Sequence, residues 1–277
     1  MPDGVHAQFG LRTVGGEPGQ FKLEPGESAV GDGQFQAARL NHQGGVGMKA
    51  AQHLFGADAA ELLVAHRGFA WYELELTGLA AHGSQPELGV DAIWQAGRAL
   101  AALDGLRQRL RQEAAHSTLG HGAVRVSKIV GGDDAATVAA RCVLTLERRM
   151  LPGQSPEQVE AELLTLFTEL AGIEPEFQFT LTRLVARAAF EAAPQWPIVR
   201  ALGAHAERVL GHPAATRGEP FWTDAGLILE AGIDCVVFGA DGEGLHADTE
   251  WADAQSVRAL AEILAGTITE FCGPPAS

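Results

Sequence analysis

FAWYELELTGLAAHGSQPELGVDAIWQAGRALAALDGLRQRL, residues 69–110, is the stretch that decides the fold. It opens with alternation: Trp71 or Tyr72, Leu74 and Leu76 are separated by Glu73 and Glu75, as in a strand buried on one face. From Asp91 to Glu113 the period changes. Ile93, Ala96, Leu100, Leu103, Leu106 and Leu110 recur at spacings of three and four, which predicts an amphipathic helix with arginines on its wet face.

Working outward toward the C-terminus, strands are expected at Ala123–Val130 and Thr137–Arg148, joined by the turn Gly131–Asp134. Ser155 then has the chemistry of a helix N-cap, with Pro156 at the first helical position and Gln158 in the first turn; that helix runs to Gly172, and Phe177–Leu184 alternates again. Strand, helix, strand, strand, helix, strand is the order of the ferredoxin-like split βαβ arrangement, so residues 68–184 read as an inserted α+β domain.

Unlike material flanks this insertion. Residues 34–67 and 185–277 read as one α/β domain. Its first part holds a weak strand at Gln34–Leu40, a glycine turn and short helix in NHQGGVGMKAAQHLFG (41–56), and a strand at Leu62–Ala65. Its second part holds helices at PQWPIVRALGAHAERVLG (194–211), Thr223–Ala231 and Ala252–Phe271, with a buried strand expected at Ile233–Phe238. Residues 1–33, dense in glycine and proline, are expected to be irregular or disordered.

Composition narrows the partners. With 35 acidic against 20 basic residues the net charge is -15, which argues against nucleic acid or an anionic membrane. No apolar run approaches the roughly 18 residues of a membrane span. Cys142, Cys235 and Cys272 are far apart and form no CxxC pair, so neither a disulfide framework nor a cysteine metal cluster is indicated, and the cytoplasm is the default compartment.

Chemistry-bearing residues stand in four places, each with a plainer alternative. In IDCVVFGADGEGLHADTEW (233–251), Gly239, Gly242 and Gly244 permit a sharp turn and close approach to a ligand, and deliver His246 among carboxylates; the alternative is a solvated acidic loop. His82, on the turn between the first strand and first helix of the insertion, could donate to a developing oxyanion or merely bond the local backbone. Arg149 could clamp a carboxylate through parallel hydrogen bonds or form an ordinary ion pair. Asp224, with Glu219 as a weaker companion, could cap a helix or orient a metal ligand.

Taken together, three stretches resemble the co-catalytic zinc aminoacylase and carboxypeptidase family, whose members include acetylornithine deacetylases, succinyl-diaminopimelate desuccinylases and glutamate carboxypeptidases. They are AHRGFAWYELELTGLAAHGSQPELGVDAI (65–93), RCVLTLERRMLPGQSPEQVEAEL (141–163) and EPFWTDAGLILEAGIDCVVFGADGEGLHADTEW (219–251). The resemblance implies an α/β catalytic domain with two zinc ions and an inserted lid that mediates homodimerisation. It implies His246 as a zinc ligand, and His82 as the lid histidine that polarises the scissile carbonyl, often from the partner subunit. Arg149 would then bind the substrate carboxylate, and the loop Gly239–Gly244 would line the pocket. The substrate class is small carboxylate-bearing N-acyl amino acids or peptides, hydrolysed at the amide by a metal-activated water.

The N-terminal third departs from that pattern. Where the family has adjacent glutamates, one the general base and one a ligand, this chain has Asn41 and His42; no His-x-Asp occurs in residues 1–40, and Glu61 is a poor substitute for the acid of the family's glutamate-proline-threonine stretch. In the insertion, Val138 and Ala139 replace a tyrosine-proline pair. The reading is therefore an incomplete zinc-peptidase-like layer with an inserted ferredoxin-like lid, either an impaired metal-dependent hydrolase or a non-catalytic dimerising or amino-acid-binding relative. An unrelated two-domain binding protein is the third possibility.

Overall fold

The computed structural model describes residues 11–12, 20–23, 61–244 and 248–273. In chain order the elements are β1 (Leu11–Arg12), β2 (Gln20–Leu23), β3 (Glu61–His66), β4 (Gly68–Thr77) and α1 (Ala92–Leu110). Next come β5 (Ala123–Gly131), β6 (Arg141–Met150), α2 (Pro156–Ile173), β7 (Gln178–Arg187) and β8 (Phe190–Glu191). The remainder is α3 (Pro197–Leu210), β9 (Ala215–Glu219), α4 (Ala225–Glu230), β10 (Gly242–Glu243), β11 (Trp251–Asp253) and α5 (Ala254–Cys272).

Two compact units result. The larger comprises residues 63–199 and 216–237. Most of it is a four-stranded sheet ordered β5-β6-β4-β7, every neighbouring pair antiparallel, with α1 and α2 against one face. This is the order expected of a split βαβ arrangement. Tyr72, not Trp71, faces the helices: Ala70, Tyr72, Leu74 and Leu76 of β4 are fully buried with Leu144 and Leu146 of β6, while Trp71 is 44% exposed. Their partners are Ala96, Leu103, Leu106 and Leu110 of α1 and Val159, Leu163 and Phe167 of α2.

Local chemistry sets the helix starts as expected. Asp91 accepts from the amides of Ile93 and Trp94 at the head of α1. At α2, Ser155 accepts from the Gln158 amide while the Gln158 side chain accepts from the Ser155 amide, a complete capping box with Pro156 in the first turn. Also in the larger unit, β3 lies centrally in a three-stranded sheet ordered β8-β3-β9.

The strand expected at Ile233–Phe238 does not form. That segment makes a single bridge, in which Leu63 and Val237 exchange amide-to-carbonyl bonds of 2.9 and 3.2 Å, and Ile233 is 58% exposed. A short apolar run has the same composition as a strand or as a covered loop, and here backbone pairing is limited to one residue.

In the smaller unit, made from residues 1–62, 200–215 and 238–277, strands order β1-β2-β11-β10. The sequence reading held no strand at Leu11–Arg12 or Gln20–Leu23, which pair with each other while Gln20–Leu23 also pairs with Trp251–Asp253. The expected strand at Gln34–Leu40 and helix within residues 41–56 lie outside the described residues.

Candidate functional site

Arg149 and His82 occupy opposite ends of one strand pair. Arg149 on β6 is the direct partner of Phe69 at the start of β4, whereas Thr77 at the other end pairs with Arg141, and the loop beyond it carries His82, bridged to Thr137. β4 has 10 residues, so at about 3.3 Å per residue its ends lie roughly 30 Å apart. One small molecule cannot touch both residues of one chain.

Paired residues of antiparallel strands project to the same face, so Arg149, Phe69 and Glu147 share the sheet face away from the helices. The adjacent Arg148 points the other way. It is 1% exposed, pairs with Glu162 at 3.2 Å and donates to the Arg149 carbonyl at 2.6 Å. Arg149 itself is half-buried: its Nη2 donates to Glu147 Oε1 at 2.8 Å, and its guanidinium lies 5.6 Å from the Phe69 ring centroid. Glu147 is almost fully buried and also accepts from Trp71 Nε1 at 3.1 Å and from Arg125 Nε. Its burial works to raise the carboxyl pKa, but the Arg125 and Trp71 hydrogen bonds and the Arg149 charge together hold it below the ordinary value.

His82 is exposed. Its Nδ1 accepts from the Ser84 amide at 3.2 Å and lies 2.8 Å from Ser84 Oγ, so in the neutral ring the proton sits on Nε2, the nitrogen that can donate to an oxyanion. The local-backbone role and the donor role thus use different nitrogens.

The glycine loop belongs to the smaller unit. A Cβ on Gly242 would meet the Trp251 carbonyl at 2.2 Å, and one on Gly244, which has φ +86°, would meet the Thr249 carbonyl at 2.0 Å, so both glycines are required by the close return of the chain. Gly239 borders a small apolar crevice with Leu210, Phe238, Leu260 and Ile263. His246 lies outside the described residues.

Asp224 stands at the N-cap of α4 without a side-chain bond to it; Thr223 Oγ1 accepts from the Ala225 amide at 3.3 Å instead. Glu219 is buried and paired with Arg217. Cys235 is only half-buried, its thiol directed at the Ala225 carbonyl, and burial raises its pKa. Among the described residues no group of three or more His, Cys, Asp or Glu side chains could hold a metal ion. The described donors therefore do not fit a zinc centre.

Sequence reasoning passed over Glu147, Phe69 and Trp71. The usable signal was spacing: an acid and an arginine two residues apart on one strand share a face.

Residues 64–174 match the family model described as the peptidase dimerisation domain. Acetylornithine deacetylase from Myxococcus xanthus is 28% identical over 236 residues, covering 82% of this chain and 60% of the relative; that from Proteus mirabilis is 28% identical, covering 75% and 53%. Among solved structures, aminopeptidase PepT from Bacillus cereus superposes with a TM-score of 0.65 at 22% identity over 77% of this chain and 54% of that one. An M20 family metallo-carboxypeptidase from Sulfolobus solfataricus superposes at 0.57 and 15%, over 76% and 60%.

The chain is thus similar to M20 aminoacylases and carboxypeptidases and carries a match to their dimerisation domain. Its fold is that of the M20 peptidase structures, a mixed α/β part with an inserted dimerisation domain. The chain spans 53–60% of the length of the curated relatives compared with it. None of its described helices is long and apolar enough to cross a membrane.

Proposed function

We propose that this chain is an M20 family member that acts on small carboxylate-bearing N-acyl amino acids or peptides in the cytoplasm, with residues 68–184 as a lid that binds substrate and forms a homodimer. Arg149 is the residue that takes the substrate carboxylate. The single observation that carries this is its guanidinium, held over Phe69 by a buried, multiply bonded Glu147, which leaves other N–H groups of the same fork for a ligand. His82 is proposed to serve the partner's site through Nε2, a reading supported by the roughly 30 Å that separates it from Arg149 along β4.

The family reaction is amide hydrolysis by a metal-activated water, with two zinc ions expected and His246 as one ligand. Because Asn41 and His42 stand where the family has its general base and a ligand, and no His-x-Asp occurs in residues 1–40, the chain alone is proposed to bind substrate and to be impaired in turnover. The purified chain should hold less than one zinc per protomer by elemental analysis and show negligible hydrolysis of N-acetyl amino acids. About two tightly held zinc ions with turnover would refute the impairment. A non-catalytic amino-acid-binding relative is the second reading, favoured by Asn41 and His42 standing where the family has paired glutamates.

A further inference from the structure

One row across the outer face of the lid sheet is unusual in a chain of net charge -15. Phe69 has Arg149 as its direct partner on β6 and Arg187 as its direct partner on β7, so two arginines flank it in register on the same face, the Arg149 guanidinium 5.6 Å from the ring centroid. Arg67, two residues before Phe69, joins them. Its Nη2 donates to the Leu119 carbonyl, while its Nε is buried with no partner among the described residues. Burial first, and then the charge of Arg149, lower its pKa, which marks two like charges held close together.

Among the described residues, the nearby carboxylates are already engaged. Glu147 is shared between Arg149 and Arg125. The Glu219 carboxylate, whose backbone accepts from the Arg67 amide, is taken by Arg217, and Arg187 donates to its neighbour's carbonyl, Ala186 O, at 2.8 Å. Arg67 and Arg187 have only backbone carbonyls as side-chain acceptors among the described residues, and Arg67 keeps an orphaned buried N–H, an arrangement that an added anion would complete. Phe69 and Trp222, in edge contact at 5.8 Å, give it an apolar side.

We infer that Arg67 and Arg187 form, beside Arg149, a second carboxylate subsite, so that the preferred ligand is an N-acyl amino acid bearing two carboxylates rather than one with a cationic side chain. This rests on the reading of Arg149 as the substrate-carboxylate residue. The inference sets this chain apart from its deacetylase relatives, whose named substrate, acetylornithine, carries an amine that the arginines would repel.

Trp222 and Trp71 report on the site, so tryptophan fluorescence of the full chain, checked by calorimetry, measures binding of N-acetylglutamate, N-acetylleucine, N-acetylornithine and inorganic phosphate. N-acetylglutamate should bind about tenfold or more tighter than N-acetylleucine, the scale of one added charge-assisted contact, and N-acetylornithine should bind weakest. Arg187→Gln should remove the N-acetylglutamate advantage and leave N-acetylleucine unchanged, while Arg187→Lys should keep part of it. Equal affinities, or phosphate binding as tightly as N-acetylglutamate, would overturn the inference. Loss of every ligand with Arg149→Gln but no effect of Arg187→Gln would overturn the second subsite and keep the Arg149 reading; no binding by any N-acyl amino acid would overturn both.

Discussion

Glu147 decides what Arg149 can do. A strand residue with three donors converging on it, from Trp71, Arg125 and Arg149, fixes the guanidinium in one orientation; without it two arginines would face each other unscreened. Glu147→Gln should therefore lower stability by about 1–3 kcal/mol in chemical denaturation, the usual cost of removing one partner of a buried hydrogen-bonded group. The same change should weaken N-acyl amino acid binding by raising the mobility of Arg149. The pH dependence follows from linkage. Since the folded pKa of Glu147 lies below its ordinary value of 4.5, the stability it contributes is fully present above pH 4.5 and is lost as pH falls through the folded value. Unfolding curves of wild type and Glu147→Gln should converge in acid and separate toward neutrality; a constant gap across that range would count against this role.

His66 works in the same direction through a different cause. Fully buried between Phe190 and Trp222, it has its pKa lowered by burial, which outweighs the backbone hydrogen bonds that raise it. The unfolded chain takes up the proton first, so the stability tied to the neutral ring is present above 6.5 and declines as pH falls from there toward the folded value. His66→Leu should flatten that decline in thermal melts between pH 5 and 7.

At the scale of elements, Gly68 at the start of β4 packs tightly against the end of β7 and the residues after it. A Cβ there would meet Ala189 N at 2.5 Å and the Arg187 carbonyl at 2.6 Å, both backbone atoms that cannot swing away. Gly68→Ala should cost about 1–3 kcal/mol, the range for forced overpacking, and should displace Arg187 from Phe69. A melting temperature unchanged from wild type would show that the two strands have room to part.

The elements around that glycine were the legible ones. Alternation in β4, spacings of three and four in α1, and the Ser155 to Gln158 pair at α2 each carry a local physical signature, and the lid is built from those signatures. Ile233–Phe238 carried none that distinguishes a strand from a covered loop, and it became a loop with one bridge. In the proposed site, Arg149 was singled out because a motif named it. Phe69, Arg187 and Glu147 were not, since their role comes from register across three strands, and register is set by pairing rather than by any one segment.

At the scale of the molecule, the lid has one end that is apolar and open. Ile93 and Trp94 at the head of α1 are 48% and 73% exposed, and Ile129 and Val130 near the end of β5 are 50% and 53% exposed. A Cβ on Gly132 would come within 3.3 Å of Ile93 Cδ1, so the β5 end and the α1 head form one surface. β5 is also an edge strand of its sheet, with backbone groups free to pair on one side. Exposed apolar surface and an open edge at the same place are what a second copy would cover, and the match of residues 64–174 to a peptidase dimerisation domain points to the same occupant. Light scattering should find a homodimer, and the double substitution Trp94→Glu, Ile129→Glu should convert it to a monomer with an unchanged lid fold by circular dichroism. Should the dimer persist, the α1 and β5 surface is not its interface.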